Sequence, residues 1–401
     1  MLIGVFFFLG LLPGIGSWVA PLGLNALLAL SGFISIFHGS SGTPRFTRNR
    51  NIWWALIALG ASFALSTYHS NFPLESLESL RVLLPGIVLA LVIGSSLNPG
   101  QALYFVGISF FFALLILSVA CLFSVISALP ALNERTFINL NVAFLSVPND
   151  VVCFVVFWPI VAWSVISNAV FSEHRKRLAG YAYLALLLIV SVLVGSRSTF
   201  ILGVCCLILW IRQGSPNKFN WIFLGGSASL AILLSMNPTF VDRLLELPTS
   251  NQRVWIWWVS IKMLDPSDYL LGMGHGMFAG AFEAARSYVS VPEGILSDPR
   301  RMGWAHNLFI ETWIERGFFG LVALLWVLSA LAIRVKTDCL QSSYQRAILG
   351  FLALIAITSS FELTLMRPWV CAAFGVAIGA VVGMTTDDKG KAGGSSNVQP
   401  S

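Results

Sequence analysis

The sequence predicts an all-α integral membrane protein with about twelve transmembrane helices and one large extramembrane loop. The chain is 57% hydrophobic and only 10% charged, and its mean hydropathy is +0.81. The apolar residues form continuous runs and not the polar–apolar alternation that a membrane β-barrel requires. Since a backbone in lipid must satisfy its hydrogen bonds within its own segment, these runs predict helices.

The predicted helices follow from the length of the apolar runs. A helix needs about twenty apolar residues to cross the hydrocarbon core, and roughly twelve stretches approach that length. The first two are close together and rich in Gly and Pro, so a re-entrant pair is the alternative there. Residues 1–12 lack a basic start and a clear cleavage site, so we expect a retained first helix. The predicted spans are residues 2–18, 21–37, 52–66, 82–97, 102–126, 151–170, 179–196, 199–211, 221–236, 317–333, 347–365 and 369–384.

Basic residues in four short loops predict the orientation of these spans. With twelve spans the four loops fall on one side, which is expected to be the cytoplasm. In the opposite short loops, residues 67–80 and 129–150, Arg135 is the only arginine or lysine. Both termini are then cytoplasmic and the large loop is external. The basic residues are Arg45, Arg48, Arg50, Arg175, Lys176, Arg177, Arg212, Lys218, Arg334, Lys336 and Arg346.

This map divides the chain into four parts. Residues 1–236 contain nine transmembrane helices, residues 237–304 form the large external loop with interfacial helices, and residues 305–384 contain three more helices. Residues 385–401 are rich in Gly, Ser and Lys and are expected to be a disordered tail. None of the six cysteines lies in the large loop, and their spacing predicts neither an external disulfide nor a metal site.

The external side is rich in arginine on this map, and Lys262 is its lone lysine. The positive-inside rule places arginine and lysine in cytoplasmic loops, so the excess of arginine on the external side is expected to have a further cause. A guanidinium group presents a planar fork of donors that suits phosphate oxygens. Ion pairs with nearby acids and anchoring at lipid headgroups are the alternatives for any one arginine. The arginines are Arg81, Arg135, Arg197, Arg243, Arg253, Arg286, Arg300, Arg301, Arg316 and Arg367.

Two of these arginines are the predicted phosphate-binding residues. Arg197 lies between two spans that are joined by almost no loop, where a charge usually faces a water-filled cavity. Snorkelling to the interface is the alternative for Arg197. Arg253 precedes a tryptophan-rich segment that is typical of an interfacial amphipathic helix. A plain interfacial anchor is the alternative for Arg253.

His306 is the predicted catalytic residue. It begins a helix that enters the membrane, and an imidazole exchanges a proton near neutral pH, as a general base must. Glu311 and Glu315 follow on the same segment at a spacing of four residues, and Gly317 and Gly320 would allow close helix packing. A histidine that only caps or anchors the helix is the alternative.

The glycine-rich segment 272–276 surrounds His275. Without a preceding strand and a following helix, such a pattern is weak support for phosphate cradling, and a turn is the favoured interpretation. The sequence has no Asp-x-Asp in an external loop, no Walker A motif and no Gly-x-Ser-x-Gly elbow. A phosphate ligand would therefore be neutralised by arginines and not by a metal ion.

These motifs, in this order, resemble the O-antigen ligase and polymerase superfamily. The matching elements are Ser196-Arg197, Arg253 with Trp257, the segment 272–276, and His306-Asn307 followed by Gly317 and Gly320. They cover about residues 195–321, and the topology extends the resemblance over the chain.

The resemblance implies a metal-independent, inverting membrane glycosyltransferase of the GT-C type, with the large loop in the periplasm of a bacterium and the helices in its inner membrane. The donor would be a glycan on undecaprenyl diphosphate, the acceptor a sugar hydroxyl of lipid A–core, and neither a cofactor nor a nucleic-acid partner is implied. Arg197 and Arg253 would bind the diphosphate and His306 would activate or orient the hydroxyl. Asn307, His275, Arg301 and Glu311 are further candidates for supporting roles.

Two other functions stay open. An O-antigen polymerase shares the motifs, although one dominant late loop and the short segment 129–150 favour a ligase. A membrane transporter is the alternative from another class, since it would place charges inside its spans. Arg197 and Glu362 are the charges nearest mid-span, and both map toward the external side.

Overall fold

The computed structural model describes residues 50–95, 99–128, 151–168, 170–212, 252–293, 295, 297, 301–337 and 343–383. Within these ranges the regular structure is helical. The predicted spans at residues 2–18, 21–37 and 221–236, the start of the large loop and the tail at 385–401 lie outside the described residues. The α-helices are α1 (Arg50–His69), α2 (Pro73–Ser79), α3 (Leu84–Ser95), α4 (Pro99–Ala128), α5 (Val152–Val156), α6 (Trp158–Ile166), α7 (Glu173–Val194), α8 (Arg197–Arg212), α9 (Gln252–Lys262), α10 (Asp268–Leu271), α11 (Phe278–Ala285), α12 (Leu308–Thr337), α13 (Ser343–Ser359) and α14 (Pro368–Val382), with a 3-10 turn at Leu80–Leu83.

Three helices of the described part are long and apolar enough to cross a membrane. The apolar stretches are Gly100–Val119 in α4, Glu173–Val194 in α7 and Leu308–Val335 in α12. Helix α13 and the segment Trp369–Val382 of α14 are shorter apolar helices. The protein is therefore a mostly helical membrane protein, as predicted, whereas the number of twelve spans and the GT-C type stay predictions.

Two predicted spans differ from the helices that the structure contains. The span at residues 151–170 is divided into α5 and α6 at Phe157, where Pro159 occupies the first turn of the new helix. Proline lacks a backbone N–H, so it is accommodated at a helix start more easily than within a continuous helix. The span at 347–365 ends early because α13 stops at Ser359, and residues 360–366 form a loop before α14.

The main hydrophobic core lies among the membrane helices. Helices α3 and α14 touch through their backbones, since a Cβ atom built on Gly375 would lie 2.0 Å from the carbonyl oxygen of Gly86. Such contacts between small residues are typical of helix pairs in membranes. Phe157 stacks on Phe110 with a ring separation of 3.9 Å and contacts Phe351, which joins the α5–α6 junction to α4 and α13.

A second, smaller hydrophobic core lies under the large loop. It joins α9 and α11 to the start of α12, so the described part of the loop is a packed unit. Its main contacts include the edge-to-face pair of Trp255 and Phe282 and the stacked pair of Phe278 and Phe282. This core fixes α9 beside the residues that precede α12. The buried members are Trp255, Ile256, Val259, Met263, Leu264, Phe278, Phe282, Ala285, Met302, Ala305 and Ile314.

Candidate active site

The segment that enters α12 places His306 outside the helix. The backbone N–H groups of Phe309 and Ile310 donate to Oδ1 of Asn307 at 3.0 and 3.1 Å, so Asn307 caps the helix. The Asn307 amide also donates to the carbonyl of Ser360 at 2.8 Å. His306 precedes the cap and has a φ of 53°, a left-handed backbone that is uncommon for a residue with a side chain. The helix begins at Leu308, so the prediction that His306 begins it was wrong by two residues.

His306 faces a buried carboxylate. Its Nδ1 atom lies 3.6 Å from Oε1 of Glu362, and the side chain of Glu362 is 0% exposed. The other oxygen of Glu362 accepts a hydrogen bond of 2.5 Å from Nη2 of Arg253. Arg253, Glu362 and His306 together are called the 306 cluster. The structure therefore brings two of the predicted site residues together through a third that the prediction left out.

The charge balance explains how Glu362 is buried. A carboxylate without a partner is costly to remove from water, and a hydrogen-bonded guanidinium offsets that cost. Arg253 and His306 retain 24% and 19% exposure of their side chains, so the cluster is open to solvent on their side. Atoms Nδ1 of His306 and Oε1 of Glu362 have no hydrogen-bond partner within the described part of the protein.

An aromatic contact supports His306 from a further direction. The rings of Trp304 and His306 meet edge to face at 5.8 Å. The guanidinium of Arg367, which precedes α14, lies over the Trp304 ring at 4.6 Å. A cation over an indole face is favourable, and it places a second arginine near the 306 cluster.

Glu311, a predicted supporting residue, is buried one turn into α12. Its Oε2 atom accepts from the backbone N–H of Ala305 at 3.2 Å, and Oε1 accepts from the hydroxyl of Thr364. Glu311 therefore connects the residue before His306 to the loop that carries Glu362. Its contacts are those of a residue that positions the cluster.

The tryptophan-rich helix α9 contacts other parts of the protein through its three tryptophans. Trp255 is buried in the loop core. The indole N–H of Trp257 donates to the carbonyl of Ala305 at 2.9 Å, and that of Trp258 donates to the carbonyl of Ser290 at 3.1 Å. These bonds fix the register of α9 against the residue before His306, so α9 is more than an interfacial anchor.

A second ionisable cluster lies deeper in the protein. His275, Glu315 and Arg316, here the 275 cluster, are all 0% exposed. Nδ1 of His275 lies 2.9 Å from Oε2 of Glu315 and 3.0 Å from Nη1 of Arg316. Nδ1 of a neutral imidazole either donates to the Glu315 carboxylate or accepts from the Arg316 guanidinium, so the tautomer decides which of the two contacts is a hydrogen bond. Burial lowers the pKa of His275, and the nearby Glu315 carboxylate opposes this shift.

The glycine-rich segment 272–276 wraps around this second cluster. Gly272, Gly274 and Gly276 all have positive φ angles. The N–H of Gly274 donates to the backbone carbonyl of Glu315 at 3.0 Å, and that of Gly276 donates to its Oε1 atom at 2.9 Å. Since both donors are used within the protein, the segment is a structural turn, and the geometry does not favour a phosphate cradle. His275 likewise belongs to this turn.

Helix α12 is interrupted where the turn docks. Gly317 has φ 66° and ψ −176°, and a Cβ atom there would lie 2.1 Å from the carbonyl oxygen of Leu270. The prediction assigned Gly317 to helix packing. The structure shows that it provides a break in the helix and the close approach of another backbone, which only glycine tolerates at this φ.

The other two predicted residues lie elsewhere. Arg197 is the first residue of α8 and is half-buried; it follows a turn at Gly195, whose φ is 75°. Helix α8 packs extensively against α7 and also against α5. Joint binding of one diphosphate by Arg197 and Arg253 stays a prediction. Arg301 is exposed, five residues before His306.

Glu362 is the residue that the prediction of the site missed. The sequence feature that could have identified Glu362 is its position as an isolated carboxylate near the end of an apolar run. Such a charge is costly in a membrane and usually marks a functional site. In the described part of the chain, no group of three or more His, Cys, Asp or Glu residues is placed to hold a metal ion. Metal-independent chemistry stays a prediction.

Comparison with known proteins agrees with the predicted resemblance. Residues 182–325 match the family model described as O-antigen ligase. Members of this family are membrane enzymes of the glycosyltransferase type that act in lipopolysaccharide and glycan biosynthesis. No match was found among curated proteins. The matched stretch contains Arg197, Arg253, His275 and His306. Residues 182–325 of this protein are therefore similar to the O-antigen ligase family.

Proposed function

We propose that the protein is an O-antigen ligase. It transfers a glycan from undecaprenyl diphosphate to a sugar hydroxyl of lipid A–core, in the inner membrane of a bacterium and at the periplasmic face. The observation that carries this proposal is the family match over residues 182–325, which contain both predicted phosphate-binding arginines and the predicted base. The meeting of Arg253 and His306 at Glu362 supports it independently of that match.

His306 acts as the general base in this proposal. Since Nδ1 faces Glu362, the other ring nitrogen, Nε2, accepts the proton of the acceptor hydroxyl. The hydroxyl oxygen then attacks the anomeric carbon of the donor from the face opposite the diphosphate, and a new glycosidic bond forms with inversion. The bond between that carbon and the diphosphate oxygen breaks as the new bond forms.

The arginines stabilise the leaving group. The departing diphosphate takes the electron pair of the broken bond, so negative charge increases on its oxygens in the transition state. Guanidinium groups that contact the diphosphate lower the free energy of that charge. Arg253 is held at the site by Glu362, and Arg197 is the second proposed donor-binding residue. The energy comes from the activated donor, so no nucleotide is required.

The proposal also includes the side of the membrane on which transfer occurs and the two substrates. The 306 cluster lies between the packed loop unit and the start of α12, where a lipid-linked donor would present its diphosphate at the membrane surface. One external loop with its own core is compatible with a large lipid-linked acceptor. An O-antigen polymerase, which would use a second lipid-linked glycan as acceptor, is the alternative outcome of the test.

The test is transfer by the purified protein with defined substrates. Undecaprenyl-diphosphate-linked glycan is supplied with lipid A–core or with a second lipid-linked glycan, in the presence of a metal chelator and without nucleotide. The expected product is glycosylated lipid A–core, detected as a shift in gel mobility. Extension of the lipid-linked glycan alone would instead indicate a polymerase. No product with either acceptor, while the donor stays intact, would exclude both.

A further inference from the structure

We propose that Glu362 is a positioning residue that couples Arg253 to His306, so that the arginine and the base respond to each other. This inference rests on the proposed function for its role in catalysis, although the coupling itself is a property of the protein without substrates. Glu362 is a single carboxylate with two oxygens that face two different groups. It therefore acts on both groups at once.

Glu362 lies where a carboxylate needs partners. It lies in the loop between α13 and α14 and is fully buried. A carboxylate in such a place is costly unless its partners require it. Within the described residues, the side-chain partners of its two oxygens are Arg253 and His306.

The geometry at His306 orients its ring toward Glu362. Its left-handed backbone is held between the Asn307 cap and the Trp304 contact, and Nδ1 is directed toward Glu362. A carboxylate at this distance favours a proton on Nδ1, which leaves Nε2 as the acceptor, and it stabilises the imidazolium that forms after proton transfer. The present distance of 3.6 Å is longer than a hydrogen bond, as is common before substrates bind.

Arg253 and His306 share the charge of Glu362. In the resting protein Arg253 occupies one oxygen of Glu362 and offsets its charge. A diphosphate that draws Arg253 away would leave more of the negative charge of Glu362 to act on His306. Donor binding would then make His306 a stronger base, so that the base is activated only when the leaving group is in place.

Other charged groups face His306 from the neighbouring elements. Arg367 approaches across Trp304 from the start of α14, and Glu311 in α12 binds the backbone N–H of Ala305. Arg253 approaches from α9 through Glu362. Apart from the residues that are substituted, these charged groups are present in every variant below. Their effects on His306 therefore cancel when the variants are compared.

The test measures the protonation of His306 directly, without donor or acceptor. Diethyl pyrocarbonate modifies neutral imidazole, and peptide mass spectrometry reports the rate at each histidine. The readout is the ratio of the His306 rate at pH 6 to that at pH 8, which cancels differences in access. His174, exposed in the first turn of α7, is the internal control whose ratio stays constant.

The two single variants are expected to move this ratio in opposite directions. Glu362→Gln removes the charge that favours imidazolium, so the ratio rises, by about two- to threefold. Arg253→Gln releases Glu362 and also removes a positive charge, so the ratio falls. In the Glu362→Gln background the Arg253→Gln change has a smaller effect, because the coupling carboxylate is gone. A residue with only a structural role would not produce opposite shifts.

Two results would overturn the coupling. The ratio is unchanged by Glu362→Gln, or Arg253→Gln has the same effect with and without Glu362. If Glu362→Gln does not yield folded protein, Arg253→Gln is compared with the native protein, and an unchanged His306 ratio overturns the proposal. Because no glycan is transferred in this experiment, its result does not depend on the result of the ligase assay.

Discussion

The 306 and 275 clusters contain the same three residue types, one histidine, one glutamate and one arginine, and differ in their access to solvent. In the 306 cluster the histidine and the arginine are partly exposed, whereas all three side chains of the 275 cluster are 0% exposed. The 275 cluster is bound to a glycine turn and to a break in α12. The difference shows that residue types alone do not identify a site, since the same types also fix a loop to a helix.

The largest expected effect is on activity in the 306 cluster. His306→Ala should lower the rate of glycan transfer by about 10²–10⁴-fold, the usual contribution of a general base. The transfer assay measures the rate, and the thermal midpoint of the purified protein checks the fold. His174→Ala, at an exposed position, is the matched control and should transfer normally. Near-normal transfer by His306→Ala would remove the base from the mechanism.

The corresponding change in the 275 cluster should affect stability. Glu315→Ala leaves Arg316 and His275 buried without their carboxylate, and breaking a buried pair of this kind costs about 3–5 kcal/mol. The expected result is a marked fall in thermal stability in detergent. If Glu315→Ala were as stable as the native protein, the 275 cluster would not be the structural element described above.

The turn that docks on α12 gives a pair of glycine variants. Gly317→Ala places a Cβ atom within van der Waals overlap of the Leu270 carbonyl at a left-handed φ, and should destabilise the protein by about 3 kcal/mol. Gly280→Ala in α11 meets open space, and helix propensity predicts a gain of up to about 1 kcal/mol. Thermal unfolding of the two variants side by side measures this contrast. Equal stabilities would contradict the tight docking.

Lysine substitutions test whether the two arginines must supply a planar fork of donors or only a positive charge. Arg197→Lys and Arg253→Lys retain the charge but lose the bidentate geometry, so transfer should fall by about tenfold to a hundredfold. Arg175→Lys, on the predicted cytoplasmic side, is the control. Full activity of Arg197→Lys would show that charge alone is sufficient there, and would separate Arg197 from the diphosphate site.

The smallest expected effect is on pH dependence. Burial lowers the pKa of His275 below 6.5, its value in the unfolded chain, so the unfolded state binds more protons between these two values. Stability should therefore fall as the pH is lowered from 7 to 5. His275→Gln removes this contribution and should show a shallower loss over the same range, measured by thermal midpoints. A parallel loss in both proteins would assign the acid sensitivity to other groups.

The sequence singled out Arg253 and His306 as candidate site residues but did not predict the connection between them. Long apolar runs gave the membrane helices, because hydrocarbon admits few alternatives to a helix. His306 and Arg253 were found from their positions at the boundary of a polar loop. Glu362 was missed because a carboxylate acquires its role from neighbours that are 56 and 109 residues away in sequence, as the ion pairs with His306 and Arg253 show.

By itself, the sequence determined that this is a helical membrane protein with features of the O-antigen ligase family, since both follow from composition and from the order of short motifs. Only the tertiary structure decided which charges are buried, which are paired and which face solvent. It assigned His275 to a structural turn and His306 to an open cluster, although both are histidines beside polar segments. The physical reason is that burial and pairing depend on contacts between distant elements, which no local pattern specifies.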